Sequence, residues 1–284
     1  MTQASHLDPV TSPEVNTSYL VPSISLIIPA HNESRNLLVN IPSILKAARA
    51  LSIKQIIVVN DGSTDTTKED FDDSSHPLLS FIHHPTNLGQ SAAIASGLKH
   101  VTTNHVMFLD GDFQIELDTI RRMIQCYQLA VAQNPRKLTI LKGQRTQRPA
   151  HRAHENIIRK SGNRLLRLCT GLNIPDFGCT TAIYPSKLLR ELPKNLQYFH
   201  RYLPIIARAN ALPTMCPLDF KNFRYREIPR RFGQSHYRVT KFLGAPYQVL
   251  RILQWAQKYS KSNRASLQNC PPPSLHSVIT RPNK

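Results

Sequence analysis

Apolar and polar positions fall into blocks along the first half of the chain, and the blocks have two different periods. Residues 23–29 (SISLIIP) form a short apolar, Ile-rich run that ends at a proline, the pattern of a buried strand. From residue 33 to about 50, Leu37, Leu38, Ile41, Ile44, Leu45 and Ala48 recur at helical spacing, with Pro42 expected to kink or restart that helix. Residues 54–60 (KQIIVVN) read as the next strand, followed by the loop Asp61-Gly62-Ser63-Thr64-Asp65. A third strand is expected at 79–83, a small-residue helix at 89–100, and a fourth strand at 105–109 that runs into Asp110-Gly111-Asp112. Residues 137–143 close the series. Strands alternating with helices of about 10–15 residues predict right-handed βαβ units and a mostly parallel central sheet, an α/β nucleotide-binding sandwich.

The pattern changes further on. Residues 239–259 place Val249, Ile252, Ala256 and Tyr259 at 3-4-3 spacing, broadened by Leu250, Leu253 and Trp255 and followed by Lys258, Lys261 and Arg264. Such a helix either lies on an acidic membrane surface or packs back onto the domain before it. The organisation expected is a polar tail over 1–22, a catalytic domain over 23–237, an amphipathic helical segment over 238–261 and a disordered tail over 262–284 with three consecutive prolines.

At 284 residues the chain is long enough to bury a full core. Its five cysteines (Cys126, Cys169, Cys179, Cys216, Cys270) are odd in number, far apart and without a CxxC pair, which excludes a disulfide scaffold and argues against a zinc site. No apolar run approaches the roughly 18–20 residues of a membrane span. The first twenty residues lack the basic and apolar regions of a signal peptide. The expectation is a cytoplasmic protein, peripheral to a membrane and not secreted.

Charge divides the chain sharply. Residues 1–142 hold 11 Lys+Arg against 13 Asp+Glu, a net of −2, whereas residues 143–284 hold 25 against 5, a net of +20. The second half is therefore suited to an anionic partner: nucleic acid, a phosphorylated substrate or an acidic membrane. A nucleic-acid binder accounts for the basic half but leaves the acidic loops of the first half unexplained.

Those loops lie at the carboxyl ends of the expected strands, where open α/β sheets bind ligands. They are His31, Asn32 and Glu33 after the first strand, Asp61 and Asp65 after the second, and Asp110 and Asp112 after the fourth. Asp110, Asp112 and Gln114 follow an i, i+2, i+4 series and offer a hard, oxygen-only set suited to Mg²⁺ or Mn²⁺. Asp61 and Asp65 can accept from a nucleobase or ribose, or Ser63 and Asp65 can cap the following helix. Neither GxGxxG nor a GxxxxGK[ST] loop is present, which argues against dinucleotide and P-loop chemistry.

Taken in order, IPAHNE (28–33), VVNDGSTD (58–65), NLGQSAAIASG (87–97) and FLDGDFQ (108–114) resemble the inverting glycosyltransferase family 2, which has the GT-A fold. The later stretches TGLNIPDFGCTTAIY (170–184), FHRYLP (199–204) and RRFGQSHY (230–237) are similar to those of the polyprenyl-phosphate glycosyltransferases, the group that includes dolichyl-phosphate mannose synthase and the undecaprenyl-phosphate sugar transferases. The resemblance covers about residues 23–240. It implies a donor diphosphate held through a metal on Asp110, Asp112 and Gln114, with Pro29, His31, Glu33 and Asp61 lining the nucleotide pocket. Arg231 and Ser235 would contact donor or acceptor phosphate. The chain departs from the pattern at Asn60, where Asp is usual, at His236, where Lys is frequent, and at Tyr198, where an acidic residue is common. Members of the group often carry transmembrane helices after the catalytic domain, and none is legible here, so an acidic membrane surface or an anchoring subunit is the expected attachment.

The chemistry of the two halves fits that resemblance. Cleaving a nucleotide sugar needs its leaving diphosphate stabilised by a divalent cation and Arg/Lys. A hydroxyl acceptor also needs a general base, and Asp176 is the candidate the second half offers. A polyprenyl phosphate, with a second pKa near ~6, is already anionic and needs only a cationic cradle. Arg145, Arg148, Arg152, Arg159, Lys160 and Arg164 supply cations in excess of what a hydroxyl acceptor demands. The expected activity is inverting transfer of a hexose from a GDP- or UDP-sugar to polyprenyl phosphate, with Asp112, Asp176, Arg145 and Arg159 at the reacting centre. The alternative is a hydroxyl acceptor, a saccharide or lipid glycoside, with Asp176 as base. His200 reads as a structural histidine or a site residue, and Phe220 and Phe223 as core or sheet.

Overall fold

The computed structural model describes residues 21–71, 76–146, 153–193, 198–211, 216–232 and 245–268. Among the described residues seven strands form one sheet: β1 (Ile24–Ala30), β2 (Ile53–Asp61), β3 (Leu79–His84), β4 (His105–Phe108), β5 (Leu138–Thr146), β6 (Ala182–Pro185) and β7 (Leu218–Arg226), in the order β3-β2-β1-β4-β6-β5-β7. Strands β1 to β4 are mutually parallel, β6 runs antiparallel to β4 and β5, and β5 pairs in parallel with β7. The sheet is thus a parallel half joined to a mixed half through one short reversed strand. That strand has four residues and no alternation of its own, so the sequence pattern does not announce it.

Strand β1 is buried along its whole length because both faces are covered. Leu26 and Ile28 face a core shared with Leu37, Ile41 and Ile44 of α1 (Ser34–Ala48) and with Ile120, Met123 and Ile124 of the helix over Leu117–Gln133. Ile27 faces the other core, with Ala93 and Ile94 of α2 (Gln90–Leu98). In chain order the helix over Leu117–Gln133 is α3, followed by α4 (Ala153–Thr170), α5 (Leu203–Ala211) and α6 (Ala245–Gln268). Leu166 of α4, Ile205 and Ile206 of α5 and Ile252 of α6 join the second core. The glycine of α2, Gly97, has its Cα against Ile27, where a Cβ would lie 2.8 Å from the Ile27 Cγ2.

The structure departs from the sequence expectations in three places. Pro42 neither restarts nor divides α1; it sits on the exposed side, where water can take the Leu38 carbonyl it leaves unpaired. Strand β5 runs on to Thr146 and so carries Arg145 within the sheet. Helix α6 continues to Gln268, into the stretch expected to be tail, and it packs on the domain: Ile252 is fully buried, with Val249, Leu253, Trp255 and Ala256 partly so. Among the described residues no helix is long and apolar enough to cross a membrane.

Candidate active site

The carboxyl ends of β1, β2 and β4 converge as the sequence requires, and side-chain hydrogen bonds fix the loops that follow them. Asn32 sits in the left-handed region (φ 57°), which Asn tolerates better than most residues. Its side-chain oxygen accepts from the Thr64 and Asp65 amides at 2.7 and 3.3 Å, and its own N–H donates to Ser63 Oγ at 2.9 Å. The first and second loops are thereby clipped together. Buried Asn60, where an acidic residue was the usual pattern, accepts from the Ser63 amide at 3.0 Å and closes the turn.

Several residues expected to meet the nucleotide are already engaged by the protein. The Asp61 carboxylate is buried and lies 2.7 Å from His84 Nδ1, while accepting from the Leu88 amide at 2.9 Å and the Gly89 amide at 2.7 Å. It ties β2 to the start of α2 instead of offering both oxygens to a ligand. His31 Nδ1 lies 2.9 Å from the Asp61 carbonyl. The helix that Ser63 or Asp65 was expected to cap does not form, since the described residues after β2 run as turns to Phe71; Asp65 instead accepts from the Ser34 amide at 3.2 Å, at the open end of α1, and from the Thr67 amide at 3.0 Å. Pro29 is part of β1, and its carbonyl accepts from the Gly111 amide at 3.2 Å. Glu33 is buried, accepts from Asn36 Nδ2 at 2.6 Å and is ion-paired to Arg230.

The acidic turn lies at the centre. Gly111 is obligatory in this packing, since a Cβ would stand 2.9 Å from the Pro29 carbonyl oxygen and 3.1 Å from Ala30 Cβ. Asp110 accepts from Gln90 Nε2, at the first turn of α2, at 2.7 Å, and burial raises its pKa. Burial and the Asp110 charge push Asp112 up to about 7. The i, i+2, i+4 series breaks after Asp112, because Phe113 turns through φ 46° with its amide on the Asp110 carbonyl at 3.1 Å. Gln114 therefore meets the pair through its main chain, hydrogen-bonded to Asp112, while its side-chain Nε2 donates to the Ile228 carbonyl at 3.3 Å and its main-chain carbonyl accepts from the Ile228 amide at 3.1 Å.

Asp110 and Asp112 remain a fit for a hard divalent cation. They are two oxygen donors at one turn; burial raises the pKa of both and the Asp110 charge raises that of Asp112 further, a penalty that a bound cation would offset. Among the described residues no three His, Cys, Asp or Glu side chains are grouped to hold a metal by themselves. The coordination would be completed by donor phosphates and water, the ordinary arrangement for Mg²⁺.

On the far side of the pair stands Arg145. Its Nε and Nη2 donate to the two oxygens of Asp176 at 2.8 and 3.1 Å, a bidentate pair with side-chain exposures of 13% and 1%. Its Nη1 lies 3.8 Å from Glu227, whose charge also acts on Asp110 and Asp112. Asp176, expected as a base for a hydroxyl acceptor, has both oxygens on this guanidinium and is sealed beneath it, so that role is withdrawn. Lys142, only 1% exposed, lies on β5 within the field of Cys179, Asp176 and Asp110, and burial lowers its pKa.

The remaining expectations separate. Arg231 is exposed and lines a cleft of about 170 Å³ with Val39, Asn40, Phe113 and Ile115 on the α1 side of the turn. Arg159 falls on α4, its side chain outside the described residues, and Ser235, Arg148 and Arg152 lie outside them too. Lys160 and Arg164 are exposed on α4. His200 is buried, with Nδ1 2.8 Å from Ser91 Oγ, the structural alternative. Sequence reasoning assigned no role to Gln90, Glu227, Lys142 or Arg230. The glutamine stood within the NLGQ stretch, but the others are gathered by β5 and β7, whose pairing the sequence pattern does not show.

The comparisons with known proteins decide the class. Residues 25–193 match the model for glycosyl transferase family 2, more than half of the chain. The chain belongs to glycosyl transferase family 2. It is 26% identical over 242 residues to the undecaprenyl-phosphate 4-deoxy-4-formamido-L-arabinose transferase of Pectobacterium carotovorum, covering 82% of this chain and 68% of that one. It is 25% identical over 252 residues to the protein of the same name from Yersinia enterocolitica, covering 84% and 70%. Among solved structures it is similar to glucosyl-3-phosphoglycerate synthase from Mycobacterium tuberculosis in complex with Mn²⁺, UDP and phosphoglyceric acid. The TM-score is 0.59 at 18% identity over 83% of this chain and 78% of that chain, which establishes the shared GT-A fold. This family 2 glycosyltransferase thus has the fold and enzyme class that its ordered motifs imply.

Proposed function

We propose that this glycosyltransferase moves a sugar from a nucleotide-sugar donor to a polyprenyl phosphate, with Mg²⁺ or Mn²⁺ at Asp110 and Asp112. The observation that carries the acceptor is the Arg145–Asp176 pair: the carboxylate a hydroxyl acceptor would use as base is buried and bonded through both oxygens. A phosphate acceptor dispenses with the base, because its oxygen is already charged near neutral pH. The relatives named for undecaprenyl phosphate support the same acceptor.

A divalent cation would supply Lewis-acid stabilisation of the departing nucleoside diphosphate. Asp110 and Asp112 would hold it, and Gln90 fixes the first carboxylate against rotation. Arg145, always charged, faces the same turn and is kept in place by Asp176; it is the described cation best placed to balance an incoming phosphate. Nucleophile, donor and cation are then assembled by position and charge, with no proton transferred in the step. The sugar is left to experiment, since the relatives are named for an arabinose derivative, a pentose, and not for the hexose expected from sequence.

The test mixes purified protein, Mn²⁺ and polyprenyl phosphate with a panel of labelled nucleotide sugars, pentose and hexose, and counts label in the organic phase. Transfer from one donor, abolished by EDTA and by Asp112→Asn, is expected. Label passing only to water-soluble hydroxyl acceptors would overturn the phosphate acceptor.

A further inference from the structure

Lysine is rarely buried without a partner, because its ammonium gives up hydration that the protein must replace. Lys142 is an exception. It is among the largest fully buried side chains and lies on β5, between β6 and β7, with Ala182 and Asn222 as its register neighbours. Among the described residues its ammonium has neither a hydrogen bond nor an ion-pair partner. Three residues along the same strand stands Arg145, and an odd offset in a strand puts the two cations on opposite faces. Ile140 and Ala182, on the Lys142 face, belong to the second core, whereas Cys179 and Tyr225, on the Arg145 face, belong to the first. Of the groups that act on Lys142 by charge, Cys179 stays a neutral thiol, since burial raises its pKa. That leaves Asp176 ahead of Arg145 and Asp110; the two carboxylates attract the ammonium and Arg145 repels it.

Arg145 is fully committed in the resting chain, with Nε and Nη2 on Asp176 and Nη1 3.8 Å from Glu227. A phosphate that takes the guanidinium fork must loosen its hold on Asp176, and a buried carboxylate left alone is costly. We infer that Lys142 is a positioning residue for the acceptor step, the counter-charge that takes over Asp176 when Arg145 turns to an incoming phosphate. The signs of the charges agree with this handover. As Arg145 moves off, the cation that repels Lys142 recedes and the carboxylate that attracts it is uncovered. The charge count points the same way. Asp110, Asp112, Asp176 and Glu227 bring four negative charges to the crevice; Arg145 and a divalent cation would answer three, and Lys142 the fourth. An apolar side chain at position 142 would suit the resting fold better, so the lysine serves a state other than the resting one. The inference rests on the reading of a phosphate as acceptor.

Lys142→Met keeps the length of the side chain and removes its charge. The full-length variant and wild type are compared in melting temperature, in UDP binding with Mn²⁺ by titration calorimetry, and in steady-state transfer to a short-chain prenyl phosphate in detergent. The variant is expected to melt at the same temperature or higher and to bind UDP within about twofold of the wild type. Its acceptor KM is expected to rise about tenfold or more while donor KM holds. A lower melting temperature, with donor and acceptor KM rising together, would overturn the inference and make Lys142 part of the scaffold. Inorganic phosphate separates the inference from the acceptor it assumes. Phosphate that raises the melting temperature of the wild type but not of the variant, with no label reaching prenyl phosphate, would strike the prenyl acceptor and leave the handover standing. Equal acceptor KM in the two proteins would strike the handover and leave the acceptor standing.

Discussion

At the scale of single residues, the site is governed by which carboxylates the protein satisfies for itself. Asp176 and Asp112 are both carboxylates near Arg145, yet Asp176 is ion-paired to it while Asp112 is crowded against Asp110. Asp176 is neutralised by a bidentate arginine, so Asp176→Asn removes one charge of a buried pair and leaves Arg145 uncompensated. Breaking such a pair costs about 3–5 kcal/mol. The expected result is a large fall in melting temperature together with a weakened acceptor KM, whereas a catalytic base would lose kcat with the melting temperature intact. Asp112 behaves the other way. Its proton is held to about pH 7 in the folded chain, against 3.8 for the free side chain. Between those values the folded state binds more protons than the unfolded one, so metal-free stability falls as pH rises from about 4 to 7 and then levels off. The loss is on the order of 4 kcal/mol at most. Calorimetry in EDTA at pH 5.5 and 7.5 measures it; saturating Mn²⁺ should stabilise most at the higher pH, and Asp112→Asn should flatten the EDTA slope. An unchanged slope in that variant would assign the titration elsewhere.

At the scale of elements, what could be read from the chain depended on whether a pattern was local. In the first half β1, β2 and β4 are largely buried on both faces, so they stand out as apolar runs with acidic loops at their ends. Strand β6 has four residues, and β7 alternates basic with aromatic side chains at the sheet edge; neither reveals its neighbour without the fold. That is why Glu227 and Arg230, which follow β7, were not placed at the site, and why Gln114 was. The extended i, i+2, i+4 geometry assumed for Gln114 fails at one left-handed residue, Phe113, whose side chain gives no warning of it. Asp61 was legible as a strand-end carboxylate, but the two loop amides and the histidine that occupy it come from a segment more than twenty residues on. The turn between β4 and α3 makes a sharp prediction. Gly111→Ala places a methyl group against the β1 backbone at Pro29 and the Ala30 side chain, so either β1 or the acidic turn must shift. The expected cost is about 1–3 kcal/mol. Mn²⁺ binding by titration calorimetry should weaken by more than the stability loss alone explains, because the shift falls on Asp110 and Asp112. Unaltered Mn²⁺ affinity in a destabilised variant would show that the turn relaxes without moving the carboxylates.

At the scale of the whole molecule, two chain segments almost two hundred residues apart are closed over one crevice. The family model ends at residue 193, but the β5–β7 pairing, Glu227 and Arg230 all come after it or depend on what comes after it. The segment leaving β7 is fastened at two points: Ile228 exchanges backbone and side-chain bonds with Gln114, and Arg230 pairs with Glu33 while its Nε donates to the Phe232 carbonyl at 2.8 Å. Asn36 bonds both Glu33, at 2.6 Å, and the Phe232 carbonyl, at 3.4 Å, so the two ends share one small network. An ion pair inside such a network should be strongly coupled. Glu33→Gln and Arg230→Gln are each expected to destabilise the protein, and the double variant by less than their sum, with an interaction energy of about 1–3 kcal/mol. The same cycle read in donor KM tests whether the fastening serves the site. If closing the segment over the acidic turn is what orders the donor pocket, both single variants raise donor KM and the double variant raises it no further. If the network only holds the edge of the domain, the coupling appears in chemical denaturation and donor KM stays constant across all four proteins.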